Sequence, residues 1–284
     1  MADINTSSNE HLADDEGVFY ELAQVTVDIL TRRLIEERGG ELPSEYRFVC
    51  FELPPGDPNG NIARHIERTV FEKYFGNDAT EMAREYGPYE SSSRFFLSVD
   101  RESGKPSGAL RIIENSSAGL KTLNDIESGA FPAKVDMEFA SILHGIDDMN
   151  TVWDVGTVAV PPEYQKGSKA ASIQMYRAMY QSSVHHHIDH LVSIIDDAPY
   201  KKHGSTPLRD IRDRLGVPFV ALDGSEPAPY LGSGKSQAVH GYVPKFYEIM
   251  HEYRQNSFIG QVAMRDALRR LVEGTEDDAI VFSD

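Results

Sequence analysis

The stretch from Trp153 to His187 constrains the fold more than any other part of this chain. Trp153–Val160 reads WDVGTVAV, rich in β-formers and largely apolar, as a strand buried on both faces should be. PPEYQKGSKAA follows as a turn of small residues, and then Ser168–His187 carries Ile173, Tyr176, Met179 and Tyr180 as the apolar stripe of a helix. A helix start preceded by small residues offers unpaired backbone N–H groups and the positive end of the helix dipole, which together suit an anion. Gly167, Ser168, Ala170 and Ala171 would let a pyrophosphate approach the backbone, with Lys166 and Lys169 supplying charge. Neither the G-x-x-x-x-G-K-[ST] loop nor the G-x-G-x-x-G turn is present. On these residues alone the turn also reads as an ordinary helix start.

The remaining elements alternate around this centre. Val18–Glu37 is expected to be a helix with Phe19, Leu22, Val25, Ile29 and Leu30 on one face, stopping at Gly39-Gly40. Strands are expected at Arg47–Glu52, Phe95–Val99, Ala109–Glu114, Leu191–Ile195, Pro218–Leu222 and Gln237–Val243, the second and third joined by the hairpin turn RESGKPSG. Ile62, Ile66, Val70 and Tyr74 recur at helical spacing over Asn61–Phe75. Further helices are expected near Leu120–Glu127, from Thr206-Pro207 to Gly216, after Pro244 and over Ile259–Leu271. The order is mixed α/β: a disordered acidic tail over residues 1–16, a central region over 17–243, and a helical extension with an acidic tail over 244–284.

Charge narrows the function classes. A net charge of −17 over 284 residues argues against sequence-independent nucleic-acid binding, which needs Lys and Arg to neutralise phosphates. Lys166, Lys169, Lys201, Lys202, Arg209, Arg212 and Arg214 nevertheless concentrate in one part of the chain, either as an anion site or as a solvated surface. The single cysteine, Cys50, rules out an intrachain disulfide and a cysteine zinc cluster. His185-His186-His187 point about 100° apart on a helix and cannot share one metal from one face, so no metal is expected. No run reaches the roughly 18 apolar residues of a membrane span, and the polar, acidic start lacks the pattern of a secretory signal, so a cytoplasmic protein is expected.

Val158 and Val160, then Pro162, Tyr164, Gln165 and Ala170, follow the order of the acyl-CoA motif V-x-V…P-x-[YF]-[QR]-x-x-G-x-[GA], with Ser168 where the first conserved glycine usually stands. In this the chain resembles the GNAT superfamily of N-acyltransferases. Further stations resemble its branch of acyl-homoserine-lactone synthases and N-acyl amino acid synthases. These are Arg68 with Val70-Phe71, Glu85 with Tyr89-Glu90, Gly108–Arg111 as G-x-x-R, and Trp153–Val160 as W-E-x-S-R-[FL]-A-V with Asp154 for Glu and Thr157 for Arg. The resemblance covers roughly residues 47–243. It implies a GNAT-like, mostly antiparallel central sheet flanked by helices, with N- and C-terminal helical extensions. It further implies acyl transfer from acyl-CoA or an acyl-carrier-protein thioester to a small-molecule amine such as an amino acid. By the same resemblance the backbone of Val158 and Val160 would hold the pantetheine arm, and Gln165 with the Lys166–Ala171 turn the pyrophosphate.

Amine attack on a thioester needs a base for the ammonium proton and a donor for the tetrahedral oxyanion. Asp154 and Glu114 are the candidate bases or amine-binding carboxylates. Arg111 is a candidate to hold either a substrate carboxylate or an acidic partner within the protein. Tyr200 and Tyr230 could protonate the leaving thiol or simply pack, and Tyr86, Tyr89, Phe95 and Phe96 could line an acyl tunnel or the core. The alternative function is a catalytically degenerate module of the same fold that binds a ligand or partner, for which the departures at Thr157 and Ser168 speak.

Overall fold

In a computed structural model the described residues are 18–40, 42–43, 46–132, 134–165, 170–196, 217–246, 248 and 278–283. The expected helices over Thr206–Gly216 and Ile259–Leu271 lie outside them.

The sheet grows from a β-hairpin. β1 (Phe48–Leu53) and β2 (Ser93–Asp100) pair antiparallel, and β2 turns back into β3 (Lys105–Glu114). β3 then pairs antiparallel with β4 (Val152–Ala159). β4 meets β5 (His190–Asp196) in parallel, and β5 pairs antiparallel with β8 (Ser233–Tyr242), which also carries the short strands β6 (Val220–Ala221) and β7 (Ala228–Tyr230). At the other edge β9 (Asp278–Val281) joins β1 in parallel. The order is β6-β8-β5-β4-β3-β2-β1-β9, a nine-stranded, mostly antiparallel sheet flanked by helices, as the sequence reading expects.

One layer is α7 (Ala170–His185). Met175, Tyr176 and Met179 pack with Phe96, Leu110, Trp153 and Val155. Gly108 permits this approach, because a Cβ there would lie 2.7 Å from Met175 Cε. Gln174, fully buried, donates to the carbonyls of Phe48 (2.9 Å) and Ala279 (3.0 Å), and so ties α7 to β1 and to the edge strand β9. The opposite layer holds α1 (Gln24–Gly39) and α2 (Gly60–Phe75) over β1–β3, then α3 (Ala79–Tyr86) and α4 (Lys121–Glu127) beside β4 and β5. α5 (Met137–His144) precedes β4, and the one-turn α6 (Pro162–Gln165) follows it.

Three differences from the sequence reading have physical causes. The first helix begins at Gln24, and it buries Val27, Thr31 and Leu34 while leaving Val25 and Ile29 exposed. The i, i+4, i+7 face that faces the sheet is thus not the more apolar one by composition. α3 and α5 were not anticipated; each is eight residues long and starts at an Asp N-cap, Asp78 and Asp136. The chain end, read as an acidic tail, contains β9, because Ala279-Ile280-Val281 follow the acidic run and pair with β1.

Candidate active site

β4 and β5 stay paired only over Val152, Trp153 and Asp154, opposite His190, Leu191 and Val192. From Val155 onward the β5-facing edge of β4 has no strand partner among the described residues, while β5 continues along β8 to Asp196. A wedge therefore opens in the middle of the sheet. Its apex is bridged by the Ser193 hydroxyl, which donates to the carbonyl of Val155 at 2.7 Å. At the same level the β3–β4 register slips: Arg111 faces Thr157 but Ile112 faces Val155, so Gly156 is one extra residue, a β-bulge. The Tyr86 hydroxyl donates to the freed Gly156 carbonyl at 3.3 Å, and a side chain at Gly156 would press on Ile113, Arg111 and Tyr86. An open strand edge with a bulge at its root leaves backbone groups outside the ladder, and here side chains take the carbonyls of Val155 and Gly156.

Beside the bulge, on the α2 side of the sheet, lies a sealed charge network. Arg111 is completely buried. Its Nε donates to Glu67 (3.1 Å), its Nη1 to Glu90 (2.7 Å) and Ser93 (3.2 Å), and its Nη2 to Glu67 (2.7 Å) and the Tyr20 hydroxyl (3.2 Å). All five guanidinium N–H groups are thereby used. Burial works against the charge, but Glu67, Tyr20 and Glu90 outweigh it and hold the Arg111 pKa well above normal. Glu67 also accepts from the Thr157 hydroxyl, and Glu90 from Tyr20 and Arg64. Burial would raise the Glu90 pKa, yet Arg111 and Arg64 pull it below its ordinary value. Of the two roles open to Arg111, the acidic-partner one is filled, and no N–H remains for a substrate carboxylate.

Asp154, also completely buried, accepts from the backbone N–H of Thr122 (2.5 Å) and from its hydroxyl (2.8 Å), and so fastens the first turn of α4 to β4. Burial raises its pKa to about 6, with the Thr122 bonds partly opposing. Next to it, Lys121 is enclosed by Asp125 (2.6 Å), Glu85 (3.1 Å) and the Tyr230 hydroxyl (3.0 Å), and Tyr230 in turn donates to Asp125. Tyr230 is thus a donor to a carboxylate, and burial first, then Tyr86 and Asp125, drives its pKa far up. Arg111 lies under the Tyr86 ring at 4.5 Å and Lys121 at 5.5 Å, so that ring joins the two networks.

Glu114 lies elsewhere. It sits at the end of β3 on a cleft of about 210 Å³ near the C-terminus of α7, lined by Arg94, Asn115, Asn150, Trp153 and His186. It accepts from Arg94 Nε at 2.7 Å, and Arg94 bridges to the buried Glu52 at 2.6 Å. The structure thus separates Glu114 from Asp154 and Arg111 rather than bringing the three together.

Of the anticipated cofactor residues, Val158 pairs with Leu110 and is half-buried, Ala159 between the two valines is buried, and Ala171 is buried in the first turn of α7, which opens at Ala170. Gln165 spends its amide within the protein: its Nε2 donates to the Val160 carbonyl at 2.6 Å and its Oε1 accepts from Tyr74 at 3.1 Å. Val160 therefore has its carbonyl already occupied. Lys166, Gly167, Ser168 and Lys169 lie outside the described residues, as do Tyr200 and the basic positions Lys201, Lys202, Arg209, Arg212 and Arg214. No group of histidines, cysteines or carboxylates able to hold a metal occurs among the described residues.

The sequence reading missed Glu67, Lys121 and Asp196. Glu67 had a signal: it stands four after Ala63 and three before Val70, on the buried face of α2, where a carboxylate needs a partner. Asp196 follows Val192 and Ile194 by strand alternation, on the sheet face that carries α4 and Tyr230.

No protein-family model matches the chain, and no curated protein is significantly similar to it in sequence. Solved structures do resemble it. FeeM, an N-acyl amino acid synthase from uncultured soil microbes, shares 21% identity over 76% of this chain and 97% of its own, with a TM-score of 0.48. The acyl-homoserine-lactone synthase LasI shares 14% over 70% of this chain and 91% of its own, at 0.43. The CoA-dependent acyl-homoserine-lactone synthase BjaI shares 13% over 84% and 95%, at 0.45.

Proposed function

We propose that this protein is an N-acyltransferase that moves an acyl group from a pantetheine thioester to the amine of a small molecule such as an amino acid. The observation that carries the reading is the wedge, with a bulge at its apex and a helix starting beyond its mouth. Pantetheine is an extended arm with two amides, and an unpaired strand edge is a partner of matching chemistry. A thioester lying along that edge would bring its carbonyl to the bulge, where backbone N–H groups freed from the ladder can stabilise the tetrahedral oxyanion.

The motif Val158–Ala171 supports a nucleotide-bearing donor, because its small residues and two lysines precede α7, whose N-terminus favours a pyrophosphate. We favour free acyl-CoA over an acyl-carrier protein. Carrier proteins are acidic, and a chain of net charge −17 is a poor general match for one.

The test is a thermal-shift titration with CoA and hexanoyl-CoA, followed by thiol release from hexanoyl-CoA in the presence of each of the twenty common amino acids. Protection by CoA is expected and should be lost in Ser168→Asp with the fold intact. A chain that gains no protection from either thioester or free CoA is not a CoA-dependent transferase.

A further inference from the structure

We propose that Asp196 is the general base of this site, taking the first proton from the ammonium of the acceptor. The assignment rests on the acyl-transfer reading above and deepens it. The sequence offers Asp154 and Glu114 for this task, and geometry removes both. Asp154 is enclosed and bonded twice to Thr122. Glu114 lies on the Arg94 cleft near the C-terminus of α7. The other carboxylates near the wedge are committed to cations, Glu67 and Glu90 to Arg111 and Arg64, Asp125 and Glu85 to Lys121.

Asp196 differs from all of these. It is the last residue of β5, where that strand has already left β4, so it borders the mouth of the wedge. It is half-buried and has one hydrogen-bond partner among the described residues, the Ser236 hydroxyl at 2.6 Å, and no cation among them. Tyr86 from α3, whose hydroxyl bonds the Gly156 carbonyl at the bulge, is the described titratable group that feels Asp196, and Asp154, in the paired stretch of β4, acts on that same hydroxyl. Burial raises the Asp196 pKa to about 6, with Ser236 partly opposing, so at neutral pH it is an ionised base with useful proton affinity.

The proton balance closes with this one group. Asp196 takes one proton from R–NH3⁺, and the neutral amine attacks the thioester carbon. The tetrahedral intermediate expels the sulfur, and the second nitrogen proton goes to the thiolate, giving amide and thiol. Asp196 then returns its proton to water.

The experiment uses the full chain with hexanoyl-CoA and whichever of the twenty amino acids releases thiol fastest, with thiol release followed from pH 5 to pH 9. Wild type should show an acid limb that levels off above pH 6. Asp196→Asn should lose about 10²-fold in kcat with KM for hexanoyl-CoA and CoA thermal protection unchanged. Its residual rate should climb tenfold per pH unit up to the pKa of the amine itself. Asp196→Glu should restore a levelling limb. A folded Asp196→Asn variant with the wild-type rate and profile overturns the assignment while leaving the acyl-transfer reading in place. A wild type that binds CoA yet releases no thiol with any amino acid defeats that reading for these acceptors, and Asp196 falls with it. If Asp196→Asn fails to fold, Ser236→Ala decides: an acid limb moved to higher pH supports the base, and a limb that stays in place refutes it.

Discussion

The Arg111 network and the mouth of the wedge are built from the same kinds of residue a few positions apart on the sheet, and they differ in whether their valences are filled. Around Arg111 every guanidinium N–H has an acceptor, and Glu67 and Glu90 are each held by several donors. At the wedge, the half-buried Asp196 has one hydroxyl partner among the described residues. A closed network in a low-dielectric interior fixes geometry and has nothing left to offer a ligand. An incompletely satisfied carboxylate at an open strand edge can still exchange a proton. The first region thus holds the bulge in shape, and the second is where proton chemistry can occur.

The comparison breaks most visibly if Arg111 is removed. Arg111→Met would strand Glu67 in the interior without a cation, while Glu90 keeps Arg64, and loss of one partner of a buried pair costs about 3–5 kcal/mol. Urea unfolding should show a loss of this size. Unchanged stability with loss of acceptor binding would mean that Arg111 faces the substrate after all.

Asp154 gives the next largest effect. Asp154→Ala leaves the N–H and hydroxyl of Thr122 without their partner, at a cost of about 2–3 kcal/mol. Asp154→Asn keeps the shape and isolates the charge. Because burial raises the folded pKa of Asp154 from 3.8 to about 6, its stabilising contribution is complete below pH 4 and lost as pH rises through 6. That difference corresponds to about 3 kcal/mol. The Asn variant lacks this dependence, so its stability relative to wild type should improve as pH is raised from 4 to 7. A relative stability that does not change with pH would show that the Thr122 bonds cancel the cost of burial.

Much of the scaffold was legible from periodicity, because burial writes period 2 and period 3.6 into the chain: β4, α7, the β2–β3 hairpin and α2 all lie where spacing places them. The bulge at Gly156 was not legible, since it is a slip between two strands and leaves no mark on either alone. The division of labour among the carboxylates was hidden for a related reason. Asp154 on a central strand reads as chemistry until Thr122, 32 residues away in sequence, is seen to occupy it. Asp196, just past an apolar strand, reads as surface until the parting of β4 and β5 is seen to put it at an opening.

The finest test of the comparison changes Ser236. Asp154 and Asp196 both have their pKa raised to about 6, so an acid limb near that pH does not by itself say which carboxylate owns it. Ser236 donates to Asp196 alone, and its bond stabilises the carboxylate form. In Ser236→Ala burial acts with less opposition, the Asp196 pKa moves further up, and the limb of the rate profile should move to higher pH. A hydrogen bond to a half-exposed charge is partly replaced by water, so the expected loss is about threefold to tenfold below pH 6. Above pH 8, where the carboxylate is ionised in either protein, the rates should coincide. An equal loss at every pH would instead mean that Ser236 shapes the strand edge without tuning the base. A limb that stays in place returns the role to Asp154, because nothing that holds that residue has been altered.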